Sequence, residues 1–255
     1  MTEAAIPALR SLRDHALSLA SSLTDAEWDL ASDCTGWSVR DVYAHMGGVL
    51  HGVVDPAFMR AGDDPNDMEA GMEVGVAERR SWPIAEVVSE YETFSAQAID
   101  NFATLQSGEM GAMEIPMGNL GTHPLHLLAN AFVFDAYCHL RNDLLAPYGP
   151  LDRPVPAASA EHLGPIIEWM IAGLPQMCAA ELAFMDAPVM LELVGEGGGV
   201  HLVGPVSGAP RATITTTPDA FVRWGTRRRP WREEGVMVAG DEAYAARFCD
   251  ASNVI

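Results

Sequence analysis

Apolar residues recur at helical spacing through most of the first 145 positions. Residues 4–22 are rich in Ala, Leu and Arg, with the apolar positions on one face, which predicts a helix. Thr24-Asp25-Ala26-Glu27 is a capping-box pattern and starts a short segment through Trp28 and Leu30. Gly36 and Trp37 interrupt it, and Trp37 is expected to anchor the core. Ser38, followed three residues on by Asp41, opens a longer helix. Its buried face is Val39, Val42, Tyr43, Met46, Val49, Leu50 and Val53. The stretch 55–66, DPAFMRAGDDPN, reads as a loop. A further helix is predicted from Ser81-Trp82-Pro83 through Val87, Val88, Tyr91, Phe94 and Ile99, with Pro83 in the first turn. After a Gly/Met/Pro loop at 107–121, a fourth long helix is expected from near Thr122 to about Leu145. Four amphipathic helices of this kind predict a bundle.

The pattern then changes. Residues 146–158, APYGPLDRPVPAA, contain four prolines and read as a linker. Beyond them a helix at about 159–180 precedes short β-like runs at Val189–Val194, Val200–Val203, Arg211–Thr216 and Val236–Val238, separated by glycine turns. Helical pieces follow at Pro218–Gly225 and Asp241–Ser252. The expected organisation is α+β, with a helical bundle over 1–150 and a smaller α+β domain over 151–255.

Two polar residues break the pattern of the fourth helix. Leu125, Leu128, Ala129, Phe132, Ala136 and Leu140 define its expected stripe, and Asp135 and His139 share a sector with Leu128 and Phe132 at the edge of that face. A carboxylate turned toward a core is costly unless something pairs with it: a metal ion, a buried Arg or a hydrogen-bond network. The i, i+4 spacing lets both side chains close on one ion, and one ligand from a facing helix would complete a site with an open position. An Asp and a His one turn apart also commonly form a simple salt bridge. His123 and His126 point well away from His139 on the wheel. His45 sits at the flank of its own helix's stripe and is preferred over His51 as the third ligand.

Charge narrows the partners. Formal net charge is −20, and every basic residue is Arg. Such a surface repels phosphate backbones and anionic lipid, so nucleic acid and membranes are excluded as partners. No apolar run approaches the ~18 residues of a membrane span, and the opening residues lack a signal-peptide pattern. A cytoplasmic location is therefore expected. Cys34, Cys138, Cys178 and Cys249 are scattered without a Cys-x-x-Cys pair and are expected as free thiols.

At these same residues the sequence resembles a known family. Asp33-Cys34-Thr35-Gly36-Trp37-Ser38-Val39-Arg40-Asp41-Val42-Tyr43-Ala44-His45 is similar to the first signature of the mycothiol-dependent maleylpyruvate isomerases, a family within the DinB-like metal-binding four-helix bundles. Phe134-Asp135-Ala136-Tyr137-Cys138-His139-Leu140-Arg141-Asn142-Asp143 resembles the second signature, and Glu78-Arg79-Arg80-Ser81 also fits. Trp224-Gly225 and Val238-Ala239-Gly240-Asp241 resemble the family's sterol-carrier-like second domain. The resemblance implies His45, Asp135 and His139 as ligands of a divalent metal, usually zinc. Family members typically carry Glu where this chain has Asp135, which is one methylene shorter.

The resemblance also implies a mycothiol-type thiol as cosubstrate, used for isomerisation or S-transfer on a small electrophilic, anionic substrate. A C-terminal Arg meets that anion in the family, which directs attention to Arg227 and Arg228 in the run Arg227-Arg228-Arg229. The competing reading is a non-catalytic small-molecule-binding protein with a structural metal or an Asp–His pair.

Overall fold

The computed structural model describes residues 4–64 and 66–255; the first three residues and Pro65, within the expected 55–66 loop, lie outside them. The chain is α+β and forms two compact units, Met1–Pro156 and Ala157–Ile255.

In the first unit, α1 (Ala5–Ser22), α3 (Val39–Val54), α5 (Ile84–Thr104) and α7 (Leu127–Cys138) form a bundle, with short α2 (Asp25–Trp28) between the first two. Helix α3 packs chiefly on α5, while α1 packs on α5 and α7. The interior is filled by Leu12, Tyr43, Met46, Tyr91, Phe102 and Val133. The start of α3 is set by a reciprocal cap. Ser38 Oγ accepts from the Asp41 amide at 3.2 Å, and Asp41 Oδ2 accepts from the Ser38 amide at 2.9 Å. The α2–α3 connection is a tight loop: the Ser32 amide donates to the Trp37 carbonyl at 2.9 Å, and Gly36 takes φ +84°.

One helix lies where no element was expected, and two expectations for the fourth bundle helix are corrected. Residues 67–79 contain a helix, α4 (Met68–Arg79), capped by Asp67 accepting from the Ala70 amide. Only Gly71, Val76 and Arg79 of it are buried, too few to leave a helical period. After the four-residue α6 (Gly108–Gly111), β1 (Glu114–Pro116) pairs antiparallel with β2 (Thr122–Pro124). The fourth bundle helix therefore starts five residues later than expected, because Thr122–Pro124 finds backbone partners across a hairpin that local periodicity does not reveal. Finally, the buried residues of α7 are Leu127, Ala129, Asn130, Val133, Phe134, Tyr137 and Cys138, whereas Leu128, Phe132 and Ala136 are half-buried. With α1, α5 and β2 all against it, this helix is apolar nearly all round and has no single stripe to read. It continues as a π-helical segment, His139–Leu144.

The second unit comprises α8 (Ala160–Met177), a four-stranded sheet, α9 (Pro218–Gly225) and α10 (Glu242–Ala251). The strands β3 (Val189–Leu193), β4 (Gly199–Val203), β5 (Ala212–Thr216) and β6 (Met237–Gly240) lie in the order β4-β3-β5-β6. The β3–β5 pair is parallel and the other pairs antiparallel. Val189, Leu191 and Leu193, with Ala212 and Ile214, alternate into a core shared with Met170, Phe221, Trp224 and Phe248.

Candidate metal centre

His45 on α3, Asp135 on α7 and His139 at the start of the π-helical segment meet at one point. His45 Nε2 lies 3.0 Å and His139 Nε2 3.3 Å from the same oxygen, Asp135 Oδ1. The three candidate ligand atoms all fall within 4.8 Å of one another. Ligand atoms around a tetrahedral ion stand roughly 3.4 Å apart, given bonds of about 2.1 Å, so two imidazoles and a carboxylate at these separations suit a divalent cation with little adjustment. Both imidazoles are buried, while the Asp135 side chain keeps 28% of its surface exposed. The cluster is thus closed on the helix side and open at the carboxylate.

The electrostatics follow from that placement. Burial pushes the Asp135 carboxyl up, but the charges and hydrogen bonds of His45 and His139 more than reverse this and hold it well below the usual carboxylate range. Burial likewise pushes His139 down, and the Asp135 charge, with the hydrogen bonds His139 makes to Asp135, Asp143 and Cys34, raises it well above an ordinary imidazole. A concentrated negative charge facing imidazole nitrogens is what a cation would compensate.

Residues not expected here surround the cluster. The His139 Nδ1–H donates to Asp143 Oδ2 at 2.8 Å, and the Cys34 thiol donates to the same oxygen at 3.1 Å. Trp37 is half-buried and does not anchor the core; its ring lies over both imidazoles, with centroids 5.1 Å from His45 and 6.2 Å from His139. Its indole N–H donates to Glu73 Oε2 at 2.7 Å, which sets the ring in place. Asp143 continues the 135, 139 spacing by one more turn, a signal present in the sequence. Cys34 and Trp37 arrive through a loop whose path periodicity cannot give. A cavity of about 20 Å³ beside Asp135, lined by Met46, Leu50, Ile99 and Phe132 among others, has room for a single water.

The other histidines weighed from the sequence, His51, His123 and His126, are occupied elsewhere. His51 Nδ1 lies 2.7 Å from Glu90 Oε1, and its ring stacks between Phe58 and Phe94 at 3.8 and 3.6 Å. His123 and His126 reach the Leu120 and Gly111 carbonyls. Arg227 and Arg228 belong to the second unit. Arg227 stands at φ +55° and donates from Nε and Nη2 to the Ser252, Asp250 and Ala251 carbonyls, where it closes the C-terminal end of α10. The four cysteines are free thiols, three of them buried and Cys34 half-buried. No helix among the described residues is long and apolar enough to cross a membrane.

Residues 9–110 match the family described as the mycothiol maleylpyruvate isomerase N-terminal domain. The match includes His45 and ends before Asp135 and His139. Two solved structures share the fold over most of both chains: a crystal structure of the mycothiol-dependent maleylpyruvate isomerase and one of its histidine-to-alanine mutant. Each has a TM-score of 0.53 at 16% identity and covers 94% of this chain and 96% of its own. No curated protein sequence matches the chain.

Proposed function

We propose, for a chain whose N-terminal unit belongs to the mycothiol maleylpyruvate isomerase N-terminal domain family, a metal-dependent enzyme that uses a mycothiol-type thiol to isomerise a small electrophilic and anionic substrate, or to join the thiol to it as an S-adduct. The observation that carries this reading is the convergence of two imidazole Nε2 atoms on one oxygen of a partly exposed carboxylate, inside a bundle of the matching fold. His45, Asp135 and His139 would hold the cation, for which zinc is the first choice and iron, nickel or manganese also suit the donor set. A divalent cation held there lowers the pKa of a thiol and presents it as thiolate at neutral pH.

The chain's own residues supply the rest. Asp135 contributes negative charge at the open side. Trp37 covers the imidazoles and keeps water from their faces. The single-water cavity beyond Asp135 is too small for an organic molecule, so thiol and substrate would approach from the exposed edge of the carboxylate. Binding of the substrate anion is assigned to Arg227 and Arg228. Since Arg227 also secures α10, Arg228→Ala is the cleaner variant for testing that role.

The experiment is incubation with mycothiol and a panel of electrophiles, maleylpyruvate among them, before and after chelation. Metal-dependent adduct or isomer formation is expected. Absence of turnover with every member, together with small-molecule binding that survives chelation, would replace the enzyme by a binding protein.

A further inference from the structure

His139 has two ring nitrogens, and each belongs to a separate cluster. Nε2 faces His45 and Asp135; Nδ1 faces Asp143 and Cys34. The donor atoms of Cys34, His139 and Asp143 also lie within 4.8 Å of one another, so chemistry alone allows a cation on either side of the ring. Exposure and hydrogen bonding decide between them. The Asp143 side chain keeps 2% of its surface exposed against 28% for Asp135, so the carboxylate open to an exchangeable ligand is the one on the Nε2 side, while on the Nδ1 side Cys34 alone is half-buried. On the Nδ1 side two donors, the ring N–H and the Cys34 thiol, converge on one oxygen, Asp143 Oδ2, at 2.8 and 3.1 Å. That is a satisfied hydrogen-bond network. The loop bearing Cys34 is fixed to the same residue, since the Asp33 amide donates to the Asp143 carbonyl at 2.9 Å.

We propose that Asp143 is a positioning residue: held by Cys34 and the Asp33 amide, it accepts from His139 Nδ1–H and so fixes the tautomer and rotation that turn the Nε2 lone pair toward the cation. The inference rests on the metal-site reading above. A carboxylate behind a ligating imidazole raises its basicity and locks its orientation, and removing such a partner costs 10- to 100-fold in metal affinity. His45 lacks this support. Its Nδ1 is buried with no hydrogen-bond partner among the described residues, and its ring is set by α3 and by contact with Trp37. The two imidazoles are therefore unequal, with His139 the pre-oriented one. Cys34 serves as a hydrogen-bond donor and not as a ligand.

The test is zinc affinity of the full chain by competition with a chelator, for wild type, Asp143→Ala, Asp143→Asn and His139→Ala, with circular dichroism of each metal-free protein to confirm folding. Asp143→Ala should bind zinc roughly 10- to 100-fold more weakly than wild type. Asp143→Asn, which keeps an acceptor oxygen but not the charge, should fall between the two. A folded Asp143→Ala with wild-type affinity would overturn the inference; if that variant does not fold, wild-type affinity in Asp143→Asn does so. Cobalt substitution adds a spectroscopic arm. No thiolate-to-cobalt charge-transfer band is expected, and its presence would move the cation to Cys34 and refute the assignment. If His139→Ala leaves affinity unchanged, the metal-site reading itself fails; if only the Asp143 variants are silent, the positioning role alone does.

Discussion

His45 Nε2 and Asp135 Oδ1 stand 3.0 Å apart across 90 residues of sequence. The contact joins α3 to α7, two helices whose main packing partners are α5 and α1 respectively. Burial alone would push this carboxyl toward its neutral form, but His45 and His139 hold it charged, and Asp135 in turn raises His139 well above an ordinary imidazole. A shared cation would take the place of the proton held between them.

Asp135 should therefore matter more to metal binding than any outer partner. Asp135→Ala is expected to lose more than the roughly 10- to 100-fold typical of removing an outer-shell group, whereas Asp135→Glu, which restores the residue usual in the resembled family, should retain binding. Isothermal titration with zinc measures both. An Asp135→Ala variant that titrates like wild type would remove the carboxylate from the site.

The buried charges around His51 make a separate prediction about stability. Arg79 contacts Glu90 through Nε at 2.6 Å and Nη2 at 2.7 Å, both side chains are almost fully buried, and His51 completes the set. Removing one partner strands a charge, which costs about 3–5 kcal/mol. Urea denaturation of Arg79→Met and Glu90→Gln should each show a loss of that order. The double variant Arg79→Met/Glu90→Gln should lose less than the two single losses added, because neither charge of the pair is then left without the other.

The four thiols should separate by reactivity. Burial pushes Cys249 up to about 12 and also raises Cys178. A raised thiol pKa leaves the unreactive protonated form dominant: at pH 8 the Cys249 thiolate is on the order of one part in ten thousand. Cys138 is fully buried, whereas Cys34 is half-buried beside His139 and Asp143. Titration of native protein with a disulfide reagent at pH 8 should show a single fast thiol, lost in Cys34→Ala, and four in urea. A fast phase that survives Cys34→Ala would contradict this.

Elements with both a period and a cap were legible in the sequence: α3 behind Ser38 and Asp41, α9 behind Thr217 and Pro218, and the alternating strands β3 and β5. Those whose backbone partners lie elsewhere were not. Thr122–Pro124 belongs to a hairpin, and α4 buries too little to show a period. The site divided in the same way. The i, i+4 pair of Asp135 and His139 is a local signal, and His45 follows from its place on α3. Asp143 extends that signal by one turn, but its role depends on a tautomer set by tertiary contacts. Cys34 and Trp37 reach the cluster through the path of the 32–37 loop, which carries no periodicity. Arg227 stood out as positive charge, while its hydrogen bonds to α10 could be seen only in three dimensions.

The most direct measurement is the divalent metal content of purified protein by mass spectrometry, compared among wild type, His45→Ala and His139→Ala. One cation per wild-type chain is expected, with its loss from both variants and the helical spectrum retained. Wild-type metal content in either folded variant would contradict it.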